Sequence, residues 1–124
     1  MLTREAEAPL IRREMDRFER WASSRLLAIE LRRLGLRRDE LGEAEHLLTG
    51  VALVPMGEEI LVSADRVAPP NVATLDAIHL ATALRIAEAG GLDAVMTYDR
   101  RLADGARHHG LTVLSPGQSA RPSA

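Results

Sequence analysis

The sequence contains no cysteine, so disulfides, thiol nucleophiles and thiolate-bound zinc are excluded. It contains no lysine either, because all 16 basic residues are arginine. A GC-rich coding sequence produces the same bias towards Arg and Ala, but the chemical consequence stands. A lysine general base, a Schiff base and a phosphate-loop lysine cannot occur. Aromatic residues are almost missing, with 1 Trp, 1 Tyr and 1 Phe. A core must therefore be built from Leu, Ile, Val and Ala. No apolar run approaches the roughly 20 residues needed to cross a bilayer. The opening MLTREAEAPL carries two acidic residues and no apolar segment, unlike a secretory signal. These absences read as a soluble, cytoplasmic protein with no membrane association.

What is present suits one domain. The chain has 124 residues, 46% of them hydrophobic, enough for a single core. A net charge of −2 gives no global attraction to nucleic acid, though it leaves room for a local basic surface.

Periodicity and breakers divide the chain into short elements. Residues 4–20 read as a helix with Leu10, Ile11, Met15 and Phe18 as its apolar stripe. Trp21-Ala22-Ser23 reads as a short strand, after which Ser23 or Ser24 caps a helix to about Leu36. Asp39 opens a helix ending near Gly50, and Val51 to Val54 form a strand before Pro55. Glu58 to Val67 is helical and Pro69-Pro70-Asn71 breaks it. Thr74 caps the longest helix, which runs to about Ala89 and ends at Gly90-Gly91. Ala94 to Tyr98 is a strand, Asp99 caps a helix to His109, and Leu111 to Leu114 is the last strand. Short apolar strands alternating with helices predict an α/β fold, a parallel sheet with helices on both faces. Residues 1–117 then form a single domain, and 118–124 a polar, disordered tail.

Three carboxylates stand out. On a helical wheel of roughly 100° per residue, Glu30 falls inside the apolar arc of Leu26, Leu27, Leu31 and Leu34. An ionised acid there is costly unless it is paired or bound to a metal. A glutamate at the core edge, bonded to an Arg or a backbone N–H, accounts for the pattern equally well. Asp76 lies in the first turn of an almost wholly apolar helix, where the helix dipole alone favours it. Asp99 follows a strand directly and is either an N-cap or a ligand at the carboxyl edge of the sheet. Helices that follow strands begin at that same edge, so Glu30 and Asp76 belong there too. Three acids at one edge repel one another unless a cation holds them, and oxygen-only donors suit Mg2+ or Mn2+. His79, one turn after Asp76, reads as a core or rim histidine or as a group supporting the acids. Asp93 reads as a turn residue, Asp104 as solvated, and His108-His109 as a contact with the end of a helix dipole.

SSRLLAIELRR, followed by LDAIHLATALRIAEAGGLDAVMTYDRRLADGARHHGLTVLSPG, resembles the PIN-domain ribonucleases of the VapC toxin type. The resemblance covers residues 2–117 and implies a parallel sheet flanked by helices, with an acidic cluster that binds Mg2+ or Mn2+ and hydrolyses RNA. The acids it carries over are Glu30, Asp76 in LDAIH and Asp99 in TYD, as metal ligands and catalytic groups. Thr97 is implied as a weaker contributor, bonding a carboxylate or water. A homodimer and a VapB-type antitoxin partner are also implied.

The chain departs from that pattern at its start. The family opens on an apolar strand ending in D-x-S/T-A, whose Asp is the central ligand, and MLTREAEAPL matches the stretch after it. That strand is central in the family's sheet, so the strands near Trp21 and Ala94 are expected to lack their shared neighbour. Either the natural start lies upstream, or the chain is a truncated, inactive remnant that only binds an antitoxin or a dimer partner. A phospho-acceptor receiver domain also gathers acids at strand ends, but it relies on a lysine. Arg25, Arg32, Arg33, Arg37 and Arg38 are either an RNA-facing rim or a solvated face.

Overall fold

The structure is a computed structural model, and it describes residues 13 and 16–116. Leu10, Ile11 and Met15 of the first expected helix, and the tail 118–124, lie outside the described residues. Phe18 meets the Trp21 ring edge-on, with centroids 5.5 Å apart.

Strand β1 (Trp21–Ser24) pairs in parallel with β2 (Val51–Val54), Trp21 opposite Val51 and Ser24 opposite Val54. Strand β3 (Val95–Met96) pairs in parallel with β4 (Val113–Leu114). Among the described residues these are two separate parallel pairs, as expected if the strands near Trp21 and Ala94 lack a shared neighbour. Among the described residues no strand lies between β1 and β3 to join the halves. β3 and β4 are also shorter than the segments 94–98 and 111–114 suggested. The Thr97 carbonyl accepts from Ser115 Oγ at 2.6 Å, so its hydrogen bond goes to a side chain rather than to another strand.

The helices follow from apolar spacing and local capping. Helix α1 (Leu26–Arg37) buries Leu26, Ala28, Leu31 and Leu34 along one face. Ser24 Oγ accepts from the Leu26 N–H at 3.1 Å, so the serine serves the helix start although Arg25 borders it. Helix α2 (Leu41–Thr49) begins two residues later than Asp39 suggested. Asp39 takes a left-handed φ of 54°, a conformation Asp tolerates in turns. Helix α3 (Glu58–Arg66) packs on α4 (Thr74–Glu88). Thr74 lies inside the first turn of α4 instead of capping it, since the bordering residue is Ala73. Helix α5 (Arg100–His108) is capped by Asp99, whose side chain accepts from the Leu102 N–H. Gly90 and Gly110 end α4 and α5 with φ of 79°, which glycine adopts without a Cβ penalty.

Burial divides into two clusters. Ala28, Leu31, Ala44 and Leu48 join α1 to α2, with Leu53 of β2 against them. Leu80, Leu102 and Ala106 join α4 to α5, with Val95 and Val113 of the second strand pair against them. α4 bridges the halves, packing on β1, α1, α3 and α5. Leu80, at 1% exposure, contributes about 1.5–3 kcal/mol by its burial alone.

Candidate active site

The site lies where α1, α4 and the end of β3 approach one another. Glu30 sits in the second turn of α1, Asp76 in the first turn of α4, and Asp99 between β3 and α5. The Asp76 carboxyl is pushed above its ordinary range, first by burial, then by the negative charge of Asp99; His79 opposes the shift and Glu30 adds to it. Acids from three elements therefore act on one another electrostatically.

They do not close as a ligand set. Among the described residues no group of three or more His, Asp or Glu is placed to hold a metal ion. Two of the three carboxylates are engaged by protein donors. Asp99 Oδ1 accepts from the Leu102 N–H at 2.8 Å, the N-cap reading of the sequence. Glu30 Oε1 lies 2.6 Å from His79 Nε2. Glu30 is also less buried than the wheel suggested, its side chain 40% exposed against 15% for His79. It occupies the edge of the apolar face, and its partner is a histidine rather than an Arg or a backbone N–H.

Behind that pair lies a contact the sequence did not reveal. His79 Nδ1 is 3.1 Å from Ser24 Oγ, so β1, α4 and α1 are tied by one side-chain chain. The available signal was the i, i+3 spacing of Asp76 and His79, which places both on one helix face. The role of Ser24 required the tertiary fold, since it lies 55 positions from His79. Thr97 is buried, and its hydroxyl accepts from the Asp99 N–H at 3.0 Å, steadying the turn that presents Asp99.

Arg32 forms a two-pronged contact with Glu45, at 2.8 and 3.4 Å, and both side chains are exposed. Each partner holds the other charged: their hydrogen bond raises the Arg32 pKa and lowers that of Glu45. Arg25, Arg33, Arg37 and Arg38 are exposed. His109 Nε2 donates to the Ala68 carbonyl at 2.6 Å, while Asp104 pairs with Arg107.

The donor set fits a hard divalent cation in chemistry: carboxylate oxygens, with no thiolate anywhere in the chain. The raised Asp76 carboxyl is what like charges around a half-buried acid produce, and a cation among them would reverse that interaction.

Short parallel strands and alternating helices define an α/β domain. The sequence matches the PIN domain family over residues 2–108. Ribonuclease VapC47 of Mycobacterium tuberculosis (strain CDC 1551 / Oshkosh) is 38% identical over 77% of this chain and 71% of its own length. Ribonuclease VapC35 of the same strain is 35% identical, covering 84% and 79%. Ribonuclease VapC46 of Mycobacterium tuberculosis (strain ATCC 25618 / H37Rv) is 32% identical, covering 94% and 89%. No solved structure gives a significant match. The chain belongs to the PIN domain family and is of the VapC ribonuclease type. Among the described residues no helix is long and apolar enough to cross a membrane.

Proposed function

We propose that the chain is a Mg2+- or Mn2+-dependent endoribonuclease toxin acting in the cytoplasm, with Glu30, Asp76 and Asp99 as its metal-holding and catalytic acids. The observation that carries this reading is the match to the PIN domain family over residues 2–108, with proteins named VapC ribonucleases among the relatives; the Asp76 carboxyl, raised by burial and by the charge of Asp99, adds support. A bound cation supplies polarisation of the phosphate and a more acidic water. The chain's own residues hold the surroundings of that chemistry. Asp99 is fixed by the Leu102 N–H and by Thr97. Glu30 is fixed by His79. Asp76 lies on the helix that bridges both halves, its carboxyl raised by burial and by the charge of Asp99. A VapB-type antitoxin and a second copy of the chain are the proposed protein partners, and RNA the substrate.

The test is cleavage of an RNA pool by the purified chain with chelator, Mg2+ or Mn2+, beside Glu30→Gln, Asp76→Asn and Asp99→Asn. Metal-dependent cleavage that each substitution removes is expected. Cleavage that survives chelation, or all three substitutions, overturns the proposal. A second reading, a non-catalytic PIN remnant that only binds an antitoxin or a dimer partner, draws on the engagement of Glu30 and Asp99 by protein donors. It predicts Mn2+ binding without cleavage of any RNA.

A further inference from the structure

We infer that Ser24 and His79 form a positioning relay that orients the Glu30 carboxylate towards the cation site; this rests on the proposed role of the three acids. For a neutral ring the donors and acceptors have a consistent direction, which is the one we infer. The Leu26 N–H donates to Ser24 Oγ at 3.1 Å. The Ser24 hydroxyl proton is then free to go to His79 Nδ1, 3.1 Å away. With Nδ1 accepting, the neutral ring carries its proton on Nε2, and that N–H donates to Glu30 Oε1 at 2.6 Å. A helix-start N–H thus fixes a serine, the serine fixes a tautomer, and the tautomer fixes a carboxylate.

The relay has a geometric consequence. Asp76 and His79 are three apart on α4 and share a face. The bond from His79 to Glu30 therefore sets an acid of α1 against an acid of α4. Glu30 has three side-chain rotors and is 40% exposed, so without His79 it would swing into solvent. One oxygen is taken by the imidazole, and Oε2 would be the one available to a cation. Groups that support metal-bound carboxylates in this way typically change metal affinity about 10–100-fold when removed.

Serine, histidine and an acid in series also occur in nucleophilic hydrolases. Ser24 is 1% exposed, so no substrate reaches its oxygen, and the series here ends on a carboxylate at the site rather than beginning there. His79 is accordingly a positioning residue.

The experiment measures Mn2+ affinity of the full chain by the electron paramagnetic resonance of free Mn2+. His79→Ala should bind Mn2+ about 10–100-fold more weakly. His79→Gln, whose amide can donate to Glu30 and accept from Ser24, should recover most of that loss. The double variant His79→Ala with Glu30→Gln should bind no more weakly than Glu30→Gln alone, because the relay acts only through Glu30. Unchanged affinity in His79→Ala, beside a weakened Glu30→Gln, overturns the relay and leaves the metal site standing. Unchanged affinity in Glu30→Gln overturns the site reading and the relay with it. Nitrogen NMR of the unsubstituted, metal-free chain, above the imidazole titration range, is independent of any folding defect. It should show His79 as the Nε2–H tautomer with Nδ1 hydrogen-bonded, and a ring averaging between tautomers overturns the relay.

Discussion

Replacing Asp76 with Asn removes a charge that disfavours the metal-free fold. The Asp76 carboxyl is held above its ordinary range by burial and by Asp99, with Glu30 adding and His79 opposing. An acid with a raised folded-state pKa binds its proton more tightly folded than unfolded. The stability it contributes is present below the unfolded carboxylate range and is lost as pH rises through the raised value. At neutral pH the ionised group therefore destabilises the fold, even though its first-turn position is favoured by about 0.3–1 kcal/mol from the helix dipole. Asp76 is only half-buried, so solvent screening holds the net effect to about 0.2–1 kcal/mol. For a domain of this size that corresponds to roughly 1–6 °C in melting temperature. In chelator at neutral pH, Asp76→Asn should melt above the parent by that margin. Acidification towards the carboxylate range should close the gap, since the parent gains and the variant does not. At about 100-fold excess over its dissociation constant, Mn2+ should stabilise the parent by about 2.7 kcal/mol. That is roughly 11–16 °C, and the variant should gain far less, so the order of the two melting curves inverts. A variant that melts below the parent in chelator, or that gains as much from Mn2+, refutes the reasoning.

Asp99 has separable roles. Asn caps helices as well as Asp does, so Asp99→Asn should keep stability while losing Mn2+ affinity and RNA cleavage; Asp99→Ala should lose these and also about 0.5–2 kcal/mol by urea denaturation. Leu80→Ala opens a cavity in the cluster that joins α4 to α5, with an expected cost of about 2–5 kcal/mol in the same assay. Arg32→Ala breaks an exposed pair with Glu45, and its melting temperature should match the parent within error. If Arg32 instead belongs to an RNA-facing rim, the variant would bind RNA more weakly with a shallower salt dependence.

The elements with strong local signals were legible. α3, α4 and α5 fall within a residue or two of the apolar spacing and its breakers, and Asp99 caps α5 as its place after an apolar run predicted. The ends of the short strands were less legible, because Ala94 to Tyr98 is apolar beyond the two residues that pair. An apolar run records burial, and burial does not require a neighbouring strand. The wheel placed Glu30 correctly near the apolar face but too deep in it, since a side chain of that length reaches from the stripe to its rim. The Ser24–His79 contact was invisible, because no local period links β1 to α4.

The site is assembled by a helix rather than by a sheet. Among the described residues the strands that flank it belong to two separate parallel pairs, and no ladder of hydrogen bonds there fixes β1 relative to β3. What spans the halves is α4, packed on β1 and α1 at one side and α5 at the other. It carries Asp76 in its first turn and His79 one turn on, and His79 holds both Ser24 and Glu30. A rotation of α4 by one residue, roughly 100°, would carry Asp76 away from Asp99 and break the contact with Glu30 together. The apolar faces of α4 oppose that rotation through Leu80, Ala81 and Ala77, all buried. Core packing and site geometry are thus one constraint. A substitution that loosens the seat of Leu80 should weaken Mn2+ binding even though the Leu80 side chain offers no ligand atom.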